Sequence, residues 1–146
     1  MQPRLDFYQA SPDAAKAMLA LGAAVNKLGL DPALLELVKM RASQINGCAY
    51  CVDIHSGDAR KLGESERRLH AIAVWREAPL FTERERAALA WTEALTRISE
   101  TCAPDADYEW LSSQFNEKER VNRTVAINAI NGWNRLAVGC RSVSTI

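Results

Sequence analysis

Apolar side chains recur every three or four residues along almost the whole chain, and no convincing run of alternating β-branched and polar residues interrupts them. A period near 3.6 residues is typical of amphipathic helices, whereas strands need a period of two. The pattern therefore predicts an all-α protein of about six to seven helices. At 146 residues the chain is long enough for one hydrophobic core, so we expect a single domain over residues 1–146.

Capping residues and helix breakers set the expected helix boundaries. Asp31 and Pro32 predict a helix start, because an aspartate caps the free amides of a first turn and proline suits its first position. Thr82 and Glu85 form the pattern of a capping box before another helix. We expect helices over about 12–28, 32–45, 48–62, 65–77, 83–99 and 106–115, and a long one from an Asn116–Glu119 cap to about residue 138.

The stretch SQINGCAYCVDIHSGDAR breaks this pattern at Asn46 and Gly47. Both residue types tolerate the left-handed conformation that closes a helix, so we expect a new helix to begin at Cys48. On that helix Cys48, Cys51 and His55 would stand at positions i, i+3 and i+7 and share one face. Cα atoms three residues apart on a helix are about 5 Å apart, so the two cysteines could bond and separate with little backbone movement.

A close cysteine pair in a chain of this size indicates redox chemistry or a metal. Four cysteines, at positions 48, 51, 102 and 140, are weak evidence for a disulfide scaffold in a reducing compartment. The first turn of a helix has unpaired amide protons and the positive end of the helix dipole, and both favour a thiolate. His55 lies one turn after Cys51 and could accept the thiol proton.

A histidine that moves protons usually needs an orienting partner, and the spacing alone does not select one. Charged side chains near the site are Asp31, Glu36, Lys39 and Arg41. Each of them is most simply a solvated charge on a helix face. Glu36, on the preceding helix, is one candidate for the orienting role.

The pattern Glu36-x11-Cys48-x2-Cys51-x3-His55, within ELVKMRASQINGCAYCVDIHSGDARKLG, resembles the core motif of the alkylhydroperoxidase D (AhpD) family of the carboxymuconolactone decarboxylase superfamily. The match is complete in residue type and spacing. The resemblance implies that Cys51 is the peroxidatic nucleophile and Cys48 the resolving cysteine, with Glu36 and His55 as the proton relay. One family member has a histidine where this chain has Tyr50, so a role for Tyr50 in the relay stays open.

The resemblance also implies a fold, a reaction and partners. We expect an AhpD-like domain that assembles as a homo-oligomer, a trimer or a hexamer. The reaction would be thiol-dependent reduction of a hydroperoxide, in which a sulfenic acid on one cysteine is resolved by the other as a disulfide. An external dithiol must then reduce the disulfide; the resemblance implies a lipoylated protein, and the chemistry equally allows a thioredoxin-like donor. No metal or organic cofactor is needed for this route.

Other functions remain open at this stage. The pair could serve a disulfide oxidoreductase or a redox sensor without peroxide specificity. A lactone decarboxylase, such as carboxymuconolactone decarboxylase, follows from superfamily analogy alone and has no evident use for a cysteine pair. A zinc site is a further possibility, although structural zinc usually takes its ligands from two such pairs. The two cysteines could also simply pack in the core.

Charge and hydropathy exclude some partners. The 18 basic and 18 acidic side chains give no net charge, so nothing indicates a nucleic-acid binder or a polybasic membrane anchor. No apolar run approaches the roughly 20 residues that span a bilayer. The first residues lack the pattern of a secretory signal, and we expect a cytoplasmic protein.

Several remaining side chains have a structural interpretation. Cys102 and Cys140 have no cysteine or histidine partner at chemical spacing and are expected to pack as core residues. We expect His70 at the surface or at an interface. The tryptophans are expected to anchor the core or a subunit interface: Trp75, Trp91, Trp110 and Trp133. The inner face of helix 83–99 is expected to carry Trp91, Leu95 and Ile98. Three asparagines of the last helix are expected to form interhelical hydrogen bonds: Asn128, Asn131 and Asn134.

Overall fold

The computed structural model describes residues 2–144, and the regular structure within them is entirely helical. This confirms the predicted all-α fold, with a helix count slightly above the expected six to seven. The elements are α1 (Phe7–Ala10), α2 (Pro12–Asn26), α3 (Pro32–Ile45), α4 (Ala49–Lys61), α5 (Glu66–Ala71), a 3₁₀ turn (Ile72–Val74), α6 (Glu83–Thr96), α7 (Ile98–Thr101), α8 (Asp105–Gln114) and α9 (Glu117–Cys140).

The predicted helix starts are confirmed where the capping signal was local. The Asp31 carboxylate accepts hydrogen bonds from the amides of Ala33 and Leu34 at the start of α3. Thr82 and Glu85 exchange the two hydrogen bonds of a capping box before α6. The expected cap of Asn116 and Glu119 before α9 has the same reciprocal pattern. These side chains pair amides that the first turn of a helix leaves without partners.

The predicted helix over 65–77 is wrong in its second half. Helix α5 ends at Ala71, and the chain passes through the 3₁₀ turn to Trp75, whose side chain is 1% exposed. The guanidinium of Arg86 donates to the carbonyl oxygens of Trp75 and Ala78, at 3.0 and 3.3 Å. Backbone carbonyls freed by the early helix end therefore receive side-chain donors, and the turn lets the indole enter the core.

The predicted helix over 83–99 is also interrupted. Helix α6 ends at Thr96, and α7 follows after Arg97. The hydroxyl of Thr101 donates to the carbonyl of Ala94 at 2.6 Å, which pairs an acceptor near the end of α6. Ile98 therefore begins a new element and is 56% exposed, so its predicted place on the inner face is wrong.

Helix α3 lies at the centre of the fold and packs against α4, α6 and α9. Its apolar side chains meet those of α6 and α8 in one part of the core. Trp75 and Trp91 are buried as predicted, whereas Trp110 and Trp133 are partly buried. Cys102 is exposed, so the expectation of a core position for it is wrong, and Cys140 is only partly buried. No helix among residues 2–144 is long and apolar enough to cross a membrane.

Buried amides join the end of α3 to α9. The Asn46 amide donates to the side-chain oxygens of Asn131 and Asn134, each at 2.9 Å. Asn134 in turn donates to the Ser43 hydroxyl at 2.9 Å, and Asn131 donates to the Thr96 hydroxyl at 3.1 Å. The predicted interhelical hydrogen bonding is thus present within one chain for Asn131 and Asn134, whereas Asn128 is exposed. It fixes the residues that immediately precede Cys48.

Asn134→Ala should lower the free energy of unfolding by about 2 kcal/mol, because it removes two hydrogen bonds of a buried side chain, one from Asn46 and one to Ser43. Asn134 is 1% exposed. Asn128→Ala, on the exposed face of the same helix, is the matched control and should change the free energy by less than about 0.5 kcal/mol. Urea unfolding followed by circular dichroism measures both. Equal effects of the two substitutions would contradict a structural role for the network.

Candidate active site

The candidate site lies where the break between α3 and α4 meets α9 and the N-terminal segment. Gly47 has a φ of 65°, in the left-handed region that glycine adopts without strain. Cys48 follows as the N-cap of α4, with φ −87° and ψ 87°, and is therefore not a helical residue. The predicted helix start at Cys48 is thus one residue early. The Cys48 sulfur accepts a hydrogen bond from the Cys51 amide at 3.3 Å, as a capping side chain does.

The two cysteines form a disulfide with a Cα–Cα distance of 5.3 Å. This agrees with the spacing expected from the sequence. Cys48 is 1% exposed and Cys51 is 4% exposed, so the bond is deep in the protein. Each cysteine nevertheless lines a cavity through which a small molecule could reach it.

Glu36, His55 and Lys39 form a hydrogen-bonded group, and its His55 lines the same cavity as Cys51. The Glu36 carboxylate is 2.8 Å from Nδ1 of His55 and 2.7 Å from Nζ of Lys39. A carboxylate only accepts hydrogen bonds, so the proton of a neutral His55 ring is assigned to Nδ1, which leaves Nε2 as the basic nitrogen. The structure thus brings the predicted Glu36 and His55 together. Lys39, one of the four charged side chains considered from sequence, joins them.

Opposing effects set the ionisation of Glu36. Burial disfavours the charged form and by itself raises the pKa of this carboxyl. The hydrogen bonds from His55 and Lys39, together with their positive charges, more than offset burial and hold the pKa below its ordinary value. Glu36 is therefore a carboxylate at neutral pH and can orient the imidazole.

An aromatic cavity of about 180 Å³ opens onto Cys51 and His55. Its walls come from three distant parts of the chain. The centroid of the Phe7 ring is 4.4 Å from that of Tyr8 and 6.2 Å from that of Trp133. Besides Cys51 and His55, the cavity is lined by Phe7, Tyr8, Tyr50, Ile54 and Trp133.

Two further cavities adjoin the site. One, of about 340 Å³, lies along α2 and α9 and is reached by Lys39, His55 and Trp133. The other, of about 360 Å³, is lined by Cys48 and does not include Cys51 or His55. The sequence predicted that both cysteines and His55 share one face of a helix. Because Cys48 is a cap with non-helical backbone angles, only Cys51 and His55 share a cavity.

A metal could be held among the described residues by Glu36, His55 and Asp58, which can place one ligand atom each within 4.8 Å of one another. The zinc site considered from sequence used the two cysteine sulfurs instead. The disulfide removes both thiolates as ligands in this state. Both oxygens of Glu36 are already bound by Lys39 and His55.

Sequence reasoning missed part of the cavity wall. Phe7 and Tyr8 were assigned to no element, although Asp6 caps the short helix α1 by accepting from the amides of Tyr8 and Gln9. The Asp6 signal was available in the sequence. The contact of Phe7 and Tyr8 with Trp133 was not, because it joins residues more than 120 positions apart.

Comparisons with known proteins give a consistent result. The model of the carboxymuconolactone decarboxylase family matches residues 12–94. The uncharacterized protein YdfG of Bacillus subtilis (strain 168) is 36% identical over 146 residues, which are 99% of each chain. A solved structure from Agrobacterium tumefaciens, of a protein of unknown function that is a candidate antioxidant defence protein AhpD, is 48% identical. It has a TM-score of 0.98 over 99% of each chain.

A more distant structure shares the fold alone. The debrominase Bmp8 is 22% identical, with a TM-score of 0.84 over 94% of this chain and 74% of that one. The same architecture therefore occurs in a debrominase.

Proposed function

The chain is an AhpD-like member of the carboxymuconolactone decarboxylase family, and on that premise we propose that it is a thiol-dependent peroxidase that reduces hydroperoxides through Cys48 and Cys51. One observation carries the proposal. Cys51, one half of a disulfide, opens onto the same small cavity as His55, and His55 is hydrogen-bonded to the buried Glu36 carboxylate.

The first step is oxidation of Cys51. Nε2 of His55 takes the thiol proton, and the thiolate attacks the terminal oxygen of the hydroperoxide. The O–O bond breaks, Cys51 becomes a sulfenic acid, and the leaving alkoxide receives the proton from His55 to depart as an alcohol. Glu36 keeps the imidazole in the required tautomer and stabilises its positive charge in the meantime.

The second step is resolution by Cys48. Its thiol attacks the Cys51 sulfur, the sulfenic oxygen leaves as water, and the disulfide forms. The observed Cα–Cα distance of 5.3 Å lies within the range of ordinary disulfides, so the step needs little backbone movement. Two electrons have then passed from the cysteine pair to the peroxide.

The cavity favours a small hydroperoxide over a protein disulfide as the oxidant. The buried sulfurs are accessible to a molecule that fits about 180 Å³, and a folded protein does not. This supports peroxidase activity over the alternative of a general disulfide oxidoreductase. A lactone decarboxylase has no evident need for the pair. The proposed peroxidase cycle would suit the cytoplasm, where dithiol donors are available. It is also compatible with a homo-oligomer.

The test is intact mass measurement with peptide mapping of the reduced, metal-free protein before and after about one equivalent of cumene hydroperoxide. We expect rapid loss of two protons, localised to Cys48 and Cys51. Cys102 and Cys140 serve as internal controls and should remain thiols. If both cysteines of the pair stay reduced over minutes while they react with a small alkylating reagent, the peroxidase proposal is wrong.

A further inference from the structure

The cavity that opens onto Cys51 has a high concentration of aromatic side chains. The chain has 4 tryptophans, 3 tyrosines and 3 phenylalanines, and four of these rings line the cavity: Phe7, Tyr8, Tyr50 and Trp133. Of the same set of rings, the neighbouring cavity of about 340 Å³ has only Trp133, and the cavity of about 360 Å³ has only Tyr50. The rings are therefore gathered where the nucleophile of the proposed cycle is accessible.

Packing of the core does not account for these rings. Tyr8 is 45% exposed, and Ile54, which lines the same cavity, is 40% exposed. Phe7 and Trp133 are only partly buried. Single exposed apolar side chains are common on protein surfaces, but a group of them around a cavity is typical of a ligand-binding site.

Hydrogen bonds hold the N-terminal rings against α9, the helix that carries Trp133. Two residues before the Asp6 cap of α1, the Arg4 amide donates to the Cys140 carbonyl at the end of α9, at 2.9 Å. The ring centroids of Phe7 and Tyr8 are 6.2 and 6.5 Å from that of Trp133. Aromatic rings attract one another over separations of about 4.5–7 Å, so this part of the wall is preorganised.

Charge and size restrict what the cavity can hold. No aspartate, glutamate, lysine or arginine lines it. A charged substituent would lose its hydration there without gaining a partner of opposite charge, so the cavity favours an uncharged ligand. Drug-sized ligands occupy cavities of about 300–1,000 Å³. A volume of about 180 Å³ is therefore suited to a molecule with one substituted ring.

We propose that this cavity binds an aromatic ring of the substrate, and that the substrate is an uncharged hydroperoxide whose ring is attached to the carbon that bears the peroxide. The inference rests on the proposed peroxidase function and adds the organic group of its substrate. Because Cys51 and the rings line one small cavity, a ring bound there keeps the peroxide close to the sulfur. The terminal oxygen then passes to Cys51, the O–O bond breaks, and the aromatic alcohol leaves with the proton from His55.

The first experiment measures binding without any peroxide. The probes are cumyl alcohol, which is the product from cumene hydroperoxide, and its analogue with a saturated cyclohexyl ring. Each is titrated into the disulfide form of the full chain, prepared with the thiol oxidant diamide, and the dissociation constant is obtained from amide chemical shifts. We expect cumyl alcohol to bind roughly fivefold more tightly, because aromatic pairs attract each other beyond the burial of apolar area. The cyclohexyl compound has the larger apolar surface, so equal or tighter binding of it would overturn the proposal.

Variants locate the preference for the aromatic probe. Phe7→Leu and Tyr8→Leu each remove a ring but keep an apolar side chain, and each should reduce the preference at least about twofold. Tyr108→Leu is the matched control, because Tyr108 is also 45% exposed but lies on α8 and does not line the cavity. It should keep the full preference. Circular dichroism verifies that each variant is folded, and an undiminished preference in both folded cavity variants would overturn the proposal.

Rates connect the site to the reaction. Reduced protein is mixed with cumene hydroperoxide or its cyclohexyl analogue, and each rate constant is divided by that of free cysteine with the same compound to remove intrinsic reactivity. We expect the same roughly fivefold preference, reduced in Phe7→Leu; equal normalised rates would overturn the substrate class. If neither hydroperoxide oxidises the pair, the peroxidase proposal fails, whatever the alcohols show. Equal binding of the two alcohols would refute the aromatic site alone, since peroxide reduction does not require it.

Discussion

Cys51→Ser is expected to lower peroxide turnover by at least about 10³-fold, because the hydroxyl of serine is not a useful nucleophile for peroxide oxygen and removal of a nucleophile usually abolishes catalysis. The position is buried, but serine and cysteine are similar in size, so the fold should persist. Turnover is measured as consumption of cumene hydroperoxide with dithiothreitol as the electron donor.

Cys48→Ser separates the two roles of the pair. This variant retains the nucleophile and should consume about one equivalent of peroxide in a burst, with a sulfenic acid on Cys51 that a dimedone probe traps. Turnover should then stop or give over-oxidised Cys51. Cys102→Ser, at an exposed cysteine away from the pair, is the control and should behave as the wild type. Normal turnover by Cys51→Ser would rule out its assignment as the nucleophile, and a burst in that variant but not in Cys48→Ser would reverse the two roles.

His55→Gln is expected to slow the peroxide step by about 10²- to 10³-fold, the usual contribution of a general acid–base group. Glutamine can still hydrogen-bond to Glu36 but cannot carry a proton from the thiol to the leaving oxygen. The step is followed under single-turnover conditions from the reduced enzyme. His70→Gln changes the other histidine of the chain, which is exposed on α5, and should leave the rate unchanged.

Glu36→Gln tests the positioning role of the carboxylate through the pH profile. A glutamine amide can donate to Nδ1 and so place the ring proton on Nε2, the wrong nitrogen for a base. Its rate should fall at neutral pH and approach the wild-type rate as pH rises, because more of the thiol then ionises without help. A loss of rate that is equal at every pH would indicate a purely structural role for Glu36.

The elements that the sequence predicted correctly were those specified by neighbouring residues. Caps such as Asp31 and Thr82 act within one helical turn, so their effect does not depend on the rest of the fold. The distance between Cys48 and Cys51 is likewise set by a few neighbouring residues, so it was predictable in the same way. Errors arose where the tertiary structure competes with local preference, as at Ile98, where α6 stops short of the predicted end.

The candidate site was predictable only to the extent that it lies on α3 and α4. The spacing brought Cys51 and His55 together, and the resemblance to a family selected Glu36 from several equivalent charges. The arrangement of the cavities could not be foreseen, because they depend on how α1 and α9 pack over the pair. Cys48 lies one residue outside the helix and lines a separate cavity. This position depends on where the break at Gly47 ends, which the sequence predicts only to within a residue or two.

The origin of the cavity walls has an evolutionary consequence. The family model covers residues 12–94, which include all four proposed redox residues, on α3, on α4 and at the N-cap of α4. Phe7, Tyr8 and Trp133 of the aromatic cavity lie outside that region, towards the two ends of the chain. Tyr50 and Ile54, which also line the aromatic cavity, lie within the matched region, so the two ends of the chain supply only part of its wall. Changes confined to the chain ends could therefore reshape this cavity in a descendant while its redox pair stays intact.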